Sequence, residues 1–192
     1  MPSLTSLLAI TATTFTTFAW AELFTLTASQ PSGPLDGKPV NAAGGAIYIG
    51  LEQPATYCPA QVEPNCPVVK GTTFAGLTSL YVEVPGGQQT YVRPEGPLGF
   101  TAPHSAFIPP NSYRGGWVNV TIYDAFPEPL TVFGWRYPDA GEGGIAACPT
   151  ATEGIWQVNA KTPDFVGFNC TEILGLKPSY QVGSEFGAWE YT

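Results

Sequence analysis

Apolar and polar residues alternate with a period of two along most of this chain, and that feature most constrains its fold. The clearest case is "WVNVTIY". Val118, Val120 and Ile122 fall on one face, while Trp117, Asn119, Thr121 and Tyr123 fall on the other. Successive side chains of an extended strand point to opposite faces, so this spacing belongs to a half-buried strand. The same pattern recurs in "LFTLTA", with Phe24, Leu26 and Ala28 on one face, and in "SLYVEV", with Leu80, Val82 and Val84 inward. It returns in "GAIYIG", "LTVFGWRY" and "GIWQVNA". No long window carries apolar residues at i, i+3 and i+4 between helix caps.

Between the alternating runs stand turn signals such as "PSGPLDGKP", "FPEP" and "PDAGEGG". The 22 glycines and 20 prolines, about a fifth of the chain, are spread along it rather than concentrated. Short strands at intervals of roughly ten residues, punctuated this way, predict an all-β sandwich or barrel. No repeat, charge run or composition shift divides the chain, so residues 22–192 read as a single domain. In "YVEVPGGQQTYV" the spacing predicts a hairpin. Pro85 cannot donate to a ladder and ends the first strand, Gly86 and Gly87 reverse the chain, and Gln88 and Gln89 begin the return.

The N-terminal "MPSLTSLLAITATTFTTFAWAE" resembles an export signal. A mildly apolar run from Leu4 to Phe18 leads to Ala19-Trp20-Ala21, a small-x-small cleavage site, giving a signal peptide over residues 1–21. No later stretch approaches the roughly 18 uninterrupted apolar residues of a membrane helix. Cys58, Cys66, Cys148 and Cys170 form an even set, as disulfides in an oxidising compartment require. Three pairings are open. Sequence proximity favours Cys58–Cys66 and Cys148–Cys170, each contributing on the order of 2–4 kcal/mol. Zinc is the competing use of cysteines, but no C-x-x-C pair and a single histidine argue against it. Asn119-Val120-Thr121 and Asn169-Cys170-Thr171 are glycosylation sequons. An early bond at Cys170 would hinder access to Asn169.

The net charge of −8, with seven Lys and Arg, excludes a nucleic-acid binder and disfavours an anionic membrane, because both need clustered cations. Neutral polysaccharide is compatible. The only histidine, His104, neighbours Ser105, but no G-x-S-x-G elbow accompanies them. A structural role in tying down its loop is the simpler reading. One histidine also leaves no transition-metal set, and no cofactor is expected. Asp124 with Glu128, and Asp139 with Glu142, are the carboxyl pairs a glycosidase would need, about 5–10 Å apart. Solvated acids in turns are the simpler reading of both pairs. Aromatics carry more information. Trp117, Tyr123 and Trp135 are the candidate glycan-contacting residues, since a ring stacks on the apolar face of a sugar. The competing reading places them in the core.

The stretches "FTLTAS", "NAAGGAIYIG", "YCP" with a second Cys-Pro at Cys66, and "VPGGQQTYV…G…LGFT…HSA.IP" resemble the PhiA-type (phialide-associated) small secreted cell-wall proteins of filamentous fungi. Relatives of that type include IgE-binding mould allergens. The resemblance implies a secreted or wall-associated protein linked to conidium-bearing structures. The expected partner is wall polysaccharide or a secreted or surface protein. It implies no catalytic residue. The Gly86–Gln89 turn and His104 would be landmarks of the family. The rival expectations are a secreted carbohydrate-active hydrolase and an effector or inhibitor with an exposed apolar patch.

Overall fold

The computed structural model describes residues 22–123, 128–137, 142–181 and 186–192. Residues 1–21, expected to form a signal peptide, lie outside the described residues. Among the described residues there are fifteen strands and no helix. In chain order they are β1 (Leu23–Ser29), β2 (Pro39–Ala43), β3 (Ala46–Ile49), β4 (Thr56–Tyr57), β5 (Phe74–Ala75), β6 (Ser79–Leu80), β7 (Gln88–Val92) and β8 (Leu98–Phe100). Then follow β9 (Trp117–Ile122), β10 (Leu130–Trp135), β11 (Ile145–Pro149), β12 (Trp156–Ala160), β13 (Thr171–Ile173), β14 (Gly175–Tyr180) and β15 (Glu190–Tyr191).

Of the two expected architectures, the chain adopts the barrel. Seven strands close a ring in the order β1-β2-β3-β8-β7-β6-β5 and back to β1. The N-terminal half of β1 pairs with β5 and its C-terminal half with β2. Closure leaves these strands without a free edge, which removes a template for aggregation. Two flanks extend the ring. One runs β3-β12-β11-β13 and the other β1-β14-β10-β9.

The alternation read from sequence sets the core. Phe24, Leu26 and Ala28 of β1 are buried, as are Leu80, Val82 and Val84. They join Val40, Ile47, Ile49, Phe74, Leu98, Phe100 and Leu176 in one apolar cluster. Each such aliphatic or aromatic side chain contributes about 1.5–3 kcal/mol when fully buried. The β2–β3 hairpin turns on Gly44 and Gly45, both with positive φ, and pairs Ala43 with Ala46. That two-residue geometry matches strand twist and admits glycine at both central positions.

Both disulfides form as sequence proximity predicts, Cys58–Cys66 and Cys148–Cys170. The first staples a long loop that returns to β2 through buried polar groups. The Asn41 amide donates to the Leu51 carbonyl (2.7 Å) and accepts from the Thr72 N–H (2.8 Å). Thr72 Oγ1 in turn accepts from the Ala42 N–H (2.8 Å).

The expected hairpin at Gly86-Gly87 takes a different form. Leu80 pairs with Gln88, so residues 81–87 make a wide loop rather than a tight reversal. Pro85 and Gly86 do turn the chain, with the Gly87 N–H donating to the Val84 carbonyl (3.0 Å). Residues Val82 to Val84, however, pair with the C-terminal segment. Val82 bridges Ala188 in parallel, and the Val84 N–H donates to the Trp189 carbonyl (2.9 Å). The C-terminus competes successfully for that backbone because Tyr191 brings a fully buried ring with it.

Candidate functional site

The β9–β10 hairpin carries Asn119 and the three candidate glycan-contacting aromatics, Trp117, Tyr123 and Trp135. Asn119 pairs with Phe133, Thr121 with Thr131 and Trp117 with Trp135. The outward face of β9 runs Asn119, Thr121 and then Tyr123 just past the strand, all exposed. Thr121 Oγ1 and Thr131 Oγ1 lie 3.0 Å apart and hydrogen bond across the pair. Val118, Val120 and Ile122 are only half-buried, because β9 is the last strand of its flank.

The three candidate glycan contacts separate. Tyr123 is 69% exposed. Trp117 is half-buried and packs against the core cluster, while still lining a cleft. Trp135 must be corrected: it is 1% exposed and belongs to the core. Its indole N–H donates to the Gly115 carbonyl (2.9 Å), and Gly116 leaves no room for a Cβ beside the ring. Tyr113 closes the other side edge-on at 5.7 Å between centroids. A large apolar ring with its one polar group satisfied is more stable here than in water. Trp156 and Trp189 also pack on the core, and Lys38 sits over the Trp156 ring at 5.7 Å.

Two of the clefts that border the hairpin hold exposed or half-buried aromatic rings. β10 joins β14 through one recorded pair, Phe133 with Leu176, and the strands part on the way toward Leu130. A cleft of about 720 Å³ lies there, lined by Thr27, Asp36, Glu128, Thr131, Lys177 and Tyr180 together with three prolines. Tyr180 is 55% exposed and rests edge-on against Phe24 (5.9 Å), so its ring is held. The Asp36 carboxylate accepts from the Gln30 N–H (2.8 Å) and fixes the loop above β1. The second cleft, about 460 Å³, is lined by Phe24, Leu77, Trp117, Asn119 and Phe133. Tyr180 was not among the residues singled out by sequence. The signal was there in "LKPSY", where Leu176, Pro178 and Tyr180 alternate.

The remaining candidates are dispersed. Asp124 and Asp139 lie outside the described residues, and their partners Glu128 and Glu142 line different clefts. His104 is exposed with φ +57, at the third position of a turn closed by the Ser105 N–H on the Ala102 carbonyl (3.2 Å). Pro103 presets the preceding φ, and histidine tolerates the left-handed region better than most residues. The loop is thus held by its main chain at that point. Asn169 is exposed at φ +54 beside the Cys148–Cys170 bridge. Between them, Val166 (88%) and Phe168 (82%) project from the loop that this bridge closes.

Gln88, expected from the sequence only to begin a return strand, is a buried polar residue at the centre of a hydrogen-bond cluster. Its Nε2 donates to the carbonyls of Thr101 (3.0 Å) and Tyr191 (2.9 Å), and its Oε1 accepts from the Tyr191 N–H (2.8 Å). The side-chain amide therefore acts as a stretch of backbone for the C-terminal strand. The Tyr191 hydroxyl accepts from the Thr73 N–H (2.9 Å) and donates to the Gly71 carbonyl (3.3 Å). Burial pushes its pKa up to about 12.

Comparison with known proteins adds the family. Residues 24–192 match the family described as PhiA-like secreted protein. A protein of Arthroderma benhamiae described as an uncharacterized secreted protein is 41% identical over 165 residues, which is 82% of this chain and 80% of the relative. No solved structure matches.

Proposed function

Since the chain belongs to the PhiA-like secreted protein family and is a secreted fungal protein, we propose that it works by binding rather than by catalysis, as a component of the cell wall or its surroundings. Its ligand is a neutral wall polysaccharide, held along the cleft between β10 and β14. The role in conidium-bearing structures implied by the family resemblance belongs to the same reading.

One observation carries this proposal: the half-exposed Tyr180 ring, braced by Phe24, beside a 720 Å³ cleft with hydroxyls and carboxylates on its walls. Sugar rings need such a surface, with an aromatic face for their C–H bonds and acceptors for their hydroxyls. Tyr123, 69% exposed just past Ile122, would offer a second ring near the Leu130 end of the cleft. The net charge of −8 suits an uncharged polymer better than an anionic one.

Sedimentation with chitin, β-glucan and whole fungal walls tests the proposal. The wild-type protein should be retained by at least one of them, and Tyr180→Ala should release most of it. A protein that stays in the supernatant with all three has no such role. A second reading, a secreted protein partner, is favoured by Val166 and Phe168 alone. Such an exposed apolar pair at a disulfide-closed loop suits a hot spot on a partner surface. Phe168→Ser would then abolish capture of that partner while leaving wall retention unchanged.

A further inference from the structure

The smaller cleft has a candidate occupant within the molecule. Asn119 begins a sequon and points outward from β9, the outermost strand of its flank. Trp117 lies two residues earlier on the same face, and Phe133 stands directly opposite Asn119 on β10. Those spacings put the two aromatic Cβ atoms about 7 Å and about 5 Å from that of Asn119. All three residues line the 460 Å³ cleft, with Leu77 and Phe24 behind them. Trp117 and Phe133 are half-buried, so each still shows ring surface to water.

We propose that an N-linked oligosaccharide on Asn119 folds back onto Trp117 and Phe133, so that its first N-acetylglucosamine fills this cleft. In the secretory pathway the Asn119 Nδ2 forms a bond to C1 of the sugar. The C1–O bond to a lipid-diphosphate carrier breaks, the carrier leaves as its diphosphate, and the amide loses one proton. The sugar's apolar face then covers the aromatic rings, and its polar edge remains in water. The glycan also shields the outer edge of β9, which pairs with no strand among the described residues and would otherwise invite strand addition. Trp117 is thereby committed to the protein's own glycan, and external polysaccharide is left to the Tyr180 cleft. This inference does not rest on the wall-binding reading.

The test uses the full chain secreted from a yeast host, in an Asn169→Gln background so that one sequon remains. Peptide mass spectrometry reads occupancy of Asn119, and an endoglycosidase trims the glycan to a single N-acetylglucosamine. The trimmed protein should melt about 2–4 °C above Asn119→Gln, the size expected when a contact like an aromatic pair forms in a chain of this length. In a Trp117→Ala background that difference should vanish. Should Trp117→Ala not fold, NMR of the trimmed protein decides. Ring currents should move the N-acetyl methyl resonance upfield of its position in denatured protein. An unoccupied Asn119, an equal melting difference without Trp117, or an unshifted methyl resonance would each overturn the proposal.

Discussion

Gln88 and Tyr191 show how much one side chain can hold in this barrel. Three hydrogen bonds converge on the buried Gln88 amide. Gln88→Leu keeps the volume but leaves the Thr101 and Tyr191 groups unpaired. It should cost about 2–4 kcal/mol in chemical denaturation, since each buried group left unsatisfied costs about 1–3 kcal/mol. Tyr191 makes stability depend on alkaline pH. Its folded pKa of about 12 exceeds the usual 10, so the folded state holds the phenolic proton more tightly than the unfolded chain does. The resulting contribution, on the order of 3 kcal/mol, is complete below pH ~10 and is lost as pH rises through about 12. Denaturation midpoints measured from pH 9 to 12 should therefore fall. Tyr191→Phe, less stable at neutral pH, should show a shallower fall over the same range. Neither role could be read from the sequence. "GGQQ" and "WEYT" lie 103 residues apart at Gln88 and Tyr191, and only the closed barrel brings them together.

At the scale of elements, alternation was a faithful guide where a strand meets solvent on one side. In β1 the inward and outward residues fall as the period of two requires, and in β9 they do so from Val118 to Ile122. It misled at Trp135, since outward-facing rows of a flank strand can be roofed by other segments, here Gly115–Gly116 and Tyr113. Periodicity tells which residues share a face but not what covers that face. The hairpin at Gly86-Gly87 widened for a related reason: a distant strand claimed its backbone. The two disulfides act on different elements. Cys148–Cys170 closes 22 residues and Cys58–Cys66 closes eight. Loop-closure entropy then predicts losses of about 3.4 and about 2.5 kcal/mol respectively when each pair is changed to serine. Equilibrium unfolding in urea, with thiols blocked, would measure both. Loss of Cys148–Cys170 should also expose the bonds around Phe165 to protease, while loss of Cys58–Cys66 should leave them protected.

For the whole molecule, the C-terminal segment ties several distant parts of the fold together. It bonds to the loop before β7, to Gln88, to β4 and, through Thr192, to Ala55 and Gly44. A chain ending at Phe186 should lose cooperative unfolding and bind a hydrophobic dye, because Tyr191 and Ala188 leave the core together. A truncated chain with an unchanged melting transition would remove that role from the segment. The sequence by itself determined the class of this protein: period-two alternation requires pleated strands, and scattered Gly and Pro require many turns. Evenly paired cysteines point to an oxidising compartment, in keeping with the secreted family. These properties depend on neighbours within a few residues, so they are written locally. The tertiary structure decided which strands close the ring and which aromatics remain in water. It also decided that the Tyr180 ring stays in water while Trp135 is buried in the core. Those outcomes depend on contacts between segments far apart in the chain, and no local spacing encodes which surface will be covered.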